Sequence, residues 1–274
     1  MISTHCPMIK RHRRIKPPRP IRLRQLESRY AAGIMVLLRQ YEQAVLQQLD
    51  PVLFSIIIRQ DDETDALTAA MNRIKEFVKL LTDASFVGRP AQQAAAEINT
   101  ANTIYHRELM GKLLGVQPIV SEPWLDARVK AFVAENASLV TTLPNEGLAD
   151  IEQLLYREQR RGLSPQKLRV KIVEQFGVTQ GRARVIARDQ VSKFNASLTQ
   201  TRQTNLGIEE YTWRTVEDGR VRSDHRHLDG EVFKWSDPPV TVRTGKRAGE
   251  RNHPGQDIQC RCYAEPVIQA LNVK

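Results

Sequence analysis

The spacing of apolar residues changes once along this chain, near Gly207, and that change limits the folds it can reach. Before Gly207, apolar residues recur every three or four positions, the spacing that lines one face of an α-helix. Tyr30, Ile34, Leu37, Leu38, Tyr41, Val45, Leu46 and Leu49 predict an amphipathic helix over 28–49, stopped by Asp50 and Pro51. Pro51 to Ile58 reads either as a short helix or as an extended apolar run. Asp61 to Thr64 places acids at the positive end of a helix whose apolar face is Leu67, Ala70, Met71, Ile74, Phe77, Val78 and Leu81. Gly88 and Pro90 predict a break, with Pro90 in the first turn of a helix carried to Gly111 by Ala94, Ile98, Ala101, Ile104, Tyr105 and Leu109. Leu125, Val129, Phe132 and Val133 mark one further helix. Leu148, Ile151, Leu154 and Leu155 mark another, ending near Gly162. Ser164, as a capping side chain, and Pro165, at the first helical position, open a helix that Gly177 stops. Thr179 caps a last helix, with Ala183, Ile186, Ala187, Val191, Phe194 and Leu198 on its face.

Beyond Gly207 the pattern has a period of two. Tyr211, Trp213 and Thr215 alternate with Thr212, Arg214 and Val216, as on a strand with one buried face. Asp218 and Gly219 signal a turn. Glu231 to Trp235 is a second extended run, and Pro238, Pro239 and the stretch from Gly245 to Pro254 read as loop. The expected fold class is α+β: mostly α-helical, with a small C-terminal antiparallel β module. The expected division is an extended arm over 1–24, a helical region over 25–142 and a C-terminal unit over 143–274. That unit combines helices over 145–206 with a β unit over 207–270.

Charge is distributed as unevenly as periodicity. The 274-residue chain carries a formal net charge of +10. Lys10, Arg11, Arg13, Arg14, Lys16, Arg19, Arg22 and Arg24 contribute +8 of it, and no acid lies among the first 24 residues. Pro17, Pro18 and Pro20 keep this arm extended. Such an arm can neutralise DNA phosphates or lie on an acidic protein surface, and these eight residues are the candidate DNA- or partner-binding set. The competing reading is a solvated tail. No apolar run reaches the roughly 20 residues that span a bilayer, and no apolar segment follows the basic N-terminus as in a signal peptide. Three cysteines do not make a disulfide framework, so the expected place of synthesis is a cytoplasm.

The densest mixture of Trp, His and Cys lies at the C-terminal end. His225, His253, Cys260 and Cys262 form a candidate structural zinc set, because zinc takes nitrogen and thiolate ligands and structural sites close with four. Cys260 and Cys262 are separated by one residue, so on a strand both point to one face. Asp224, His227 and Asp257 are possible substitutes. The competing reading assigns these side chains to packing and hydrogen bonds. Arg220, Arg222 and Arg226 beside Asp218, Asp224 and Asp229 read best as a salt-bridged hairpin, each exposed pair worth under about 1 kcal/mol. No Walker loop, nucleophile elbow or HExxH zinc motif is present. A zinc-dependent nuclease of the HNH type would need a second cysteine pair and a helix after the hairpin. No enzymatic role is expected.

The run from Arg182 to Arg188, Asn195, Gly207, Trp213, Thr215, Asp218, Arg220, Val221 and Arg222 is followed by His225, Leu228, Asp229 and Gly230. Pro238, Pro239, Pro254, Cys260, Arg261 and Cys262 complete the series. In this order and spacing the chain resembles the phage Mu F-like head morphogenesis family over about 145–270. The resemblance implies a minor capsid protein of a tailed phage, carried in the virion head near the portal vertex after assembly in the host cytoplasm. It implies the portal protein as partner, with the major capsid or scaffolding protein and phage DNA as further partners, and a role in head morphogenesis and procapsid assembly. The alternative function is a DNA-binding packaging or ejection factor working through the arm. The excursion from Val240 to Arg251, with Arg243, Lys246, Arg247 and Arg251, is longer than the resemblance leads one to expect. The helical region matches no motif. Its stripe of Tyr30, Ile34, Leu37 and Tyr41 is expected either to dock in a partner's groove or to be core.

Overall fold

The apolar stripes of the first two hundred residues close on one another. The computed structural model describes residues 17–18, 20–55, 63–115, 121–160, 164–216, 219 and 221–268. Five long helices, α1 (Leu23–Ser55), α2 (Glu63–Leu81), α3 (Ala84–Leu114), α4 (Leu125–Arg160) and α5 (Pro165–Asn205), are followed by a small sheet. Its strands are β1 (Glu210–Arg214), β2 (Val232–Lys234) and β3 (Tyr263–Pro266), with a four-residue helix α6 (Ser223–Arg226) between β1 and β2. The sheet is antiparallel in the order β2-β1-β3, and its register sets Tyr211 opposite Phe233 and Trp213 opposite Ala264. The class is α+β, mostly helical with a C-terminal antiparallel module, as the two periodicities require.

One hydrophobic core runs through all five helices, from Tyr30 to Leu198. Tyr30, Ile34, Leu37 and Tyr41 belong to it and are 2%, 0%, 6% and 0% exposed. This stripe is therefore core, and the partner-groove expectation for it is corrected: α1 spends its apolar face on its own neighbours. The Tyr30 hydroxyl donates to Asn136 Oδ1 on α4 at 2.8 Å, and Asn136 Nδ2 donates to Gln190 Oε1 on α5 at 3.2 Å. These buried polar groups tie three helices at one level.

The helices are longer than their glycines and prolines suggest. α1 continues through Pro51, because Val52 and Leu53 extend the buried stripe while Pro51 and residue 47, whose carbonyl loses its partner, are exposed. α3 runs through Gly88 and Pro90 instead of breaking there. Pro90 packs on Gly33 of α1, where an added Cβ would lie 3.0 Å from the proline ring. The separate helices expected around 125–133 and 148–155 are one helix, α4, which carries Pro144 inside it. The expected boundary at 142/143 thus falls within a continuous helix. α5 passes through Gly177 without stopping, and Thr179 Oγ1 donates to the Gln175 carbonyl inside the helix rather than capping a new one. Ser164 precedes Pro165 as expected but makes no side-chain capping bond. In each case burial of a continuous stripe outweighs the local cost of a helix breaker, about 1 kcal/mol for glycine and about 3 for proline. α5 ends where expected, with Gly207 at φ 74° and the Ile208 N–H donating to the Gln203 carbonyl.

β1 and β2 fall on the two extended runs expected, while β3 lies in a stretch for which no strand was expected. Tyr211 and Trp213, both fully buried, point to the module's own small core with Leu228, Trp235, Cys260, Cys262 and Ala264. The turn residues Asp61, Asp62, Gly162, Asp218 and Arg220 lie outside the described residues. No helix among the described residues is long and apolar enough to cross a membrane.

Candidate metal centre

The β module is seated on the second half of α5 by polar contacts. Ser192 Oγ donates to the Cys260 carbonyl at 2.5 Å, Asp189 Oδ1 accepts the Gln259 N–H at 2.8 Å, and Arg188 donates to Gln259 Oε1 at 3.1 Å. Gln259 has φ 53°, the left-handed region, so a strained turn is held by α5 just before Cys260. Gly255, at φ 85°, lies against α5, and a Cβ there would come within 2.9 Å of the Ala196 Cβ.

Between this seat and β1, three of the expected metal ligands meet. His225, Cys260 and Cys262 are buried, and one ligand atom from each lies within 4.8 Å of the other two. His225 comes from α6, which returns the chain under the Trp213 ring at 5.5 Å between centroids. Its Nδ1 is 3.5 Å from Cys260 Sγ and 3.6 Å from Cys262 Sγ. The backbone N–H groups of Gly255 and Cys262 both point to Cys260 Sγ, at 3.4 Å each. Two N–H donors on one sulfur favour a thiolate there.

His253 does not join the group. Its Nδ1 is 2.9 Å from the Tyr211 hydroxyl, and its ring lies 4.8 Å from that of Trp235. Burial lowers its pKa and keeps it neutral. The two histidines looked equivalent in sequence; the fold gives one to the sulfurs and the other to aromatic packing. Of the possible substitutes, Asp224 accepts the Arg243 backbone N–H at 3.0 Å, His227 is exposed, and Asp257 stands behind His225. Asp257 Oδ2 is 3.3 Å from His225 Nε2.

Asp257 is fully buried and heavily bound. Arg222 donates to its Oδ2 at 2.6 Å, and Arg247 and the Ile258 N–H donate to its Oδ1 at 2.8 and 2.7 Å. Burial works against its charge, yet these bonds and the Arg222 charge hold its carboxyl below the usual carboxylate range. Arg222 is thus a site residue rather than one half of an exposed hairpin pair. Burial likewise opposes the imidazolium of His225, but Cys260 and Asp257 outweigh it and raise its pKa. The hydrogen bond from Cys262 draws the Cys260 thiol well below the ordinary range, assisted by His225, while Cys262 is pushed upward by Cys260 beside it and by burial. The Trp213 indole, whose buried Nε1 lacks a hydrogen-bond partner within range, is the neighbour that favours charge on the Cys262 sulfur.

Two sulfurs and an imidazole nitrogen are the donor set of a thiophilic divalent cation, and this buried trio could hold one. Among the described residues the gathered group is these three.

Of the eight basic residues of the arm, Arg22 and Arg24 are described and exposed; Lys10, Arg11, Arg13, Arg14, Lys16 and Arg19 lie outside the described residues. Pro20, Ile21 and Leu23 line a cavity of about 50 Å³ whose other walls include Ser192, Trp235 and Cys262. Pro20, Ile21 and Leu23 therefore lie at the seam between α5 and the β module, and Arg24, expected in the extended arm, is already in α1.

Residues 149–265 match the family described as Phage Mu protein F like protein. This segment is a phage Mu F-like domain. It comprises the last third of α4, α5 and the sheet up to the penultimate residue of β3, with its candidate metal centre. The family implies a phage head component. An uncharacterized protein of Haemophilus influenzae is 32% identical over 183 residues, covering 67% of this chain and 38% of that protein. The chain thus spans well under half the length of this curated relative. No solved structure matches.

Proposed function

We propose that the chain is a minor head protein of a tailed phage that associates with the portal and acts in head morphogenesis, without catalytic turnover. The Mu F-like domain over 149–265 carries the reading. Its strands and candidate metal centre are fixed to a helical bundle with one continuous apolar core of its own. The basic arm, which joins α1 near the seam, is then the element that reaches an acidic surface of the portal or of a capsid or scaffolding protein. Zinc in the His225, Cys260 and Cys262 group serves as a structural staple, replacing apolar mass that the small sheet lacks. Cys260 and Cys262 are 3% and 7% exposed, and this burial supports a role without turnover.

Co-expression with the portal protein of the same phage tests the reading. Co-purification in heads and loss of head assembly on gene deletion are expected. Failure to co-purify, together with normal assembly and infectivity after deletion, overturns it. The eight positive charges of the arm favour a second reading, a DNA-binding packaging or ejection factor carried in the virion. That reading requires full-length protein to shift DNA with steep salt dependence and protein lacking residues 1–24 to lose the shift.

A further inference from the structure

The long excursion from Val240 to Arg251 has a place in the metal centre. It returns on itself through a bridge between Val240 and Arg251, with the Thr241 N–H on the Glu250 carbonyl at 2.8 Å and the Gly249 N–H on the Val242 carbonyl at 2.9 Å. Its ends and sides are tied down: Arg251 pairs with Asp237, and the Arg243 N–H binds Asp224 next to His225. Arg247, flanked by its own ion pair to Glu250, reaches Asp257 Oδ1. Arg222 holds the other oxygen and also donates to the Ile258 carbonyl at 2.6 Å. With both oxygens engaged, Asp257 presents Oδ2 to His225 Nε2.

An ionised carboxylate accepts hydrogen bonds and cannot donate them. Nε2 is then the donor to Oδ2, which leaves Nδ1, the atom facing both sulfurs, as the nitrogen a cation would take. We propose that Asp257 is a positioning residue for a thiophilic divalent cation at His225, Cys260 and Cys262, and that the 240–251 excursion is a strap that fixes Asp257 through Arg247. The inference rests on the metal reading above. It assigns the excursion's arginine inward, to the centre, rather than outward, to nucleic acid.

Purified full-length protein, stripped of metal and titrated with Co²⁺ alone, tests this. Wild type should bind one ion per chain and develop the thiolate-to-cobalt absorption, which Cys262→Ser should lose. Asp257→Asn and Arg247→Met should keep that absorption, since all ligands remain, but bind Co²⁺ about 10–100-fold more weakly, the usual effect of losing a partner behind a ligand. Lys246→Ala, in the same excursion but making no contact with Asp257, should bind like wild type. In the Cd²⁺-loaded protein, nitrogen NMR should find His225 protonated on Nε2 and coupled to the metal through Nδ1. Wild-type affinity in both Asp257→Asn and Arg247→Met, or metal coupling through Nε2, overturns the proposal while leaving the metal intact. Absence of any thiolate absorption in wild type overturns the metal reading itself. If Asp257→Asn does not fold, the half-exposed Arg247 variant decides alone.

Discussion

The helical bundle and the β module solve the same problem with different materials. The bundle buries a stripe from every long helix in one continuous apolar core. The module's hydrophobic cluster holds seven buried residues among those described, of which two are cysteines and three are large aromatics. The bundle therefore tolerates Pro51, Pro90, Pro144 and Gly177 inside its helices, because each local cost is spread over many apolar contacts. The module has no such reserve, and its order rests on directed contacts: sulfur to N–H, imidazole to carboxylate, carboxylate to arginine. Its strained turn at Gln259 and its close approach at Gly255 both lie on the α5 seam. Redundant apolar burial forgives single changes, and a directed network does not.

The largest way to separate the two regions is metal removal. Chelation, or Cys262→Ser, should abolish the near-ultraviolet signal of Trp213 and Trp235 while most far-ultraviolet helicity remains, since binding free energy is part of the module's folding free energy. A single cooperative melt, unchanged by chelation, would show that the module stands on packing alone. A core truncation should do the reverse: Ile34→Ala, fully buried in α1, should cost the bundle about 2–5 kcal/mol in denaturant unfolding. Co²⁺ absorption at low denaturant should survive that change.

Gly255→Ala tests the seam directly. It combines an unfavourable φ of 85° with a contact of 2.9 Å to Ala196, and should destabilise the module by about 1–3 kcal/mol, read as weaker metal binding and faster proteolysis within 253–262. A neutral result would mean that the module does not depend on its seat.

A pH effect belongs to the bundle. His106, on α3, is held neutral by burial and by Arg202, with its pKa lowered to about 4 from an ordinary 6.5. Unfolded chains take up its proton near pH 6.5 and folded chains only near pH 4. Stability is therefore full above 6.5 and falls as pH drops from 6.5 to 4, by roughly 1–3 kcal/mol. His106→Gln should flatten that part of the stability profile. The smallest effect is a gain: Gly177, inside α5 with open space around it, should stabilise the bundle by about 0.5–1 kcal/mol as Ala.

Much of the candidate centre was legible as composition. His225, Cys260 and Cys262 stand out because such residues are scarce elsewhere, and two cysteines one residue apart must project together from extended chain. His253 carried the same signal and belongs to aromatic packing, because the register that buries Tyr211 brings that hydroxyl to its ring. Arg222 and Arg247 stood out only as basic residues, not as partners of Asp257: they lie 35 and 10 residues from it, and nothing in their spacing links three charges whose meeting depends on a folded excursion.

The sequence by itself determined the change from helix to strand at Gly207, the burial of the period-two face of Tyr211 and Trp213, and the basic character of the arm. Those follow from period and charge, which need no partner to be expressed. Only the tertiary structure decided where helices stop and which histidine faces the sulfurs. A helix breaker acts locally at about 1–3 kcal/mol, and a buried stripe running past it can exceed that. Whether the stripe finds a partner depends on distant helices, and the charges around Asp257 meet only when the 240–251 excursion folds back on the module.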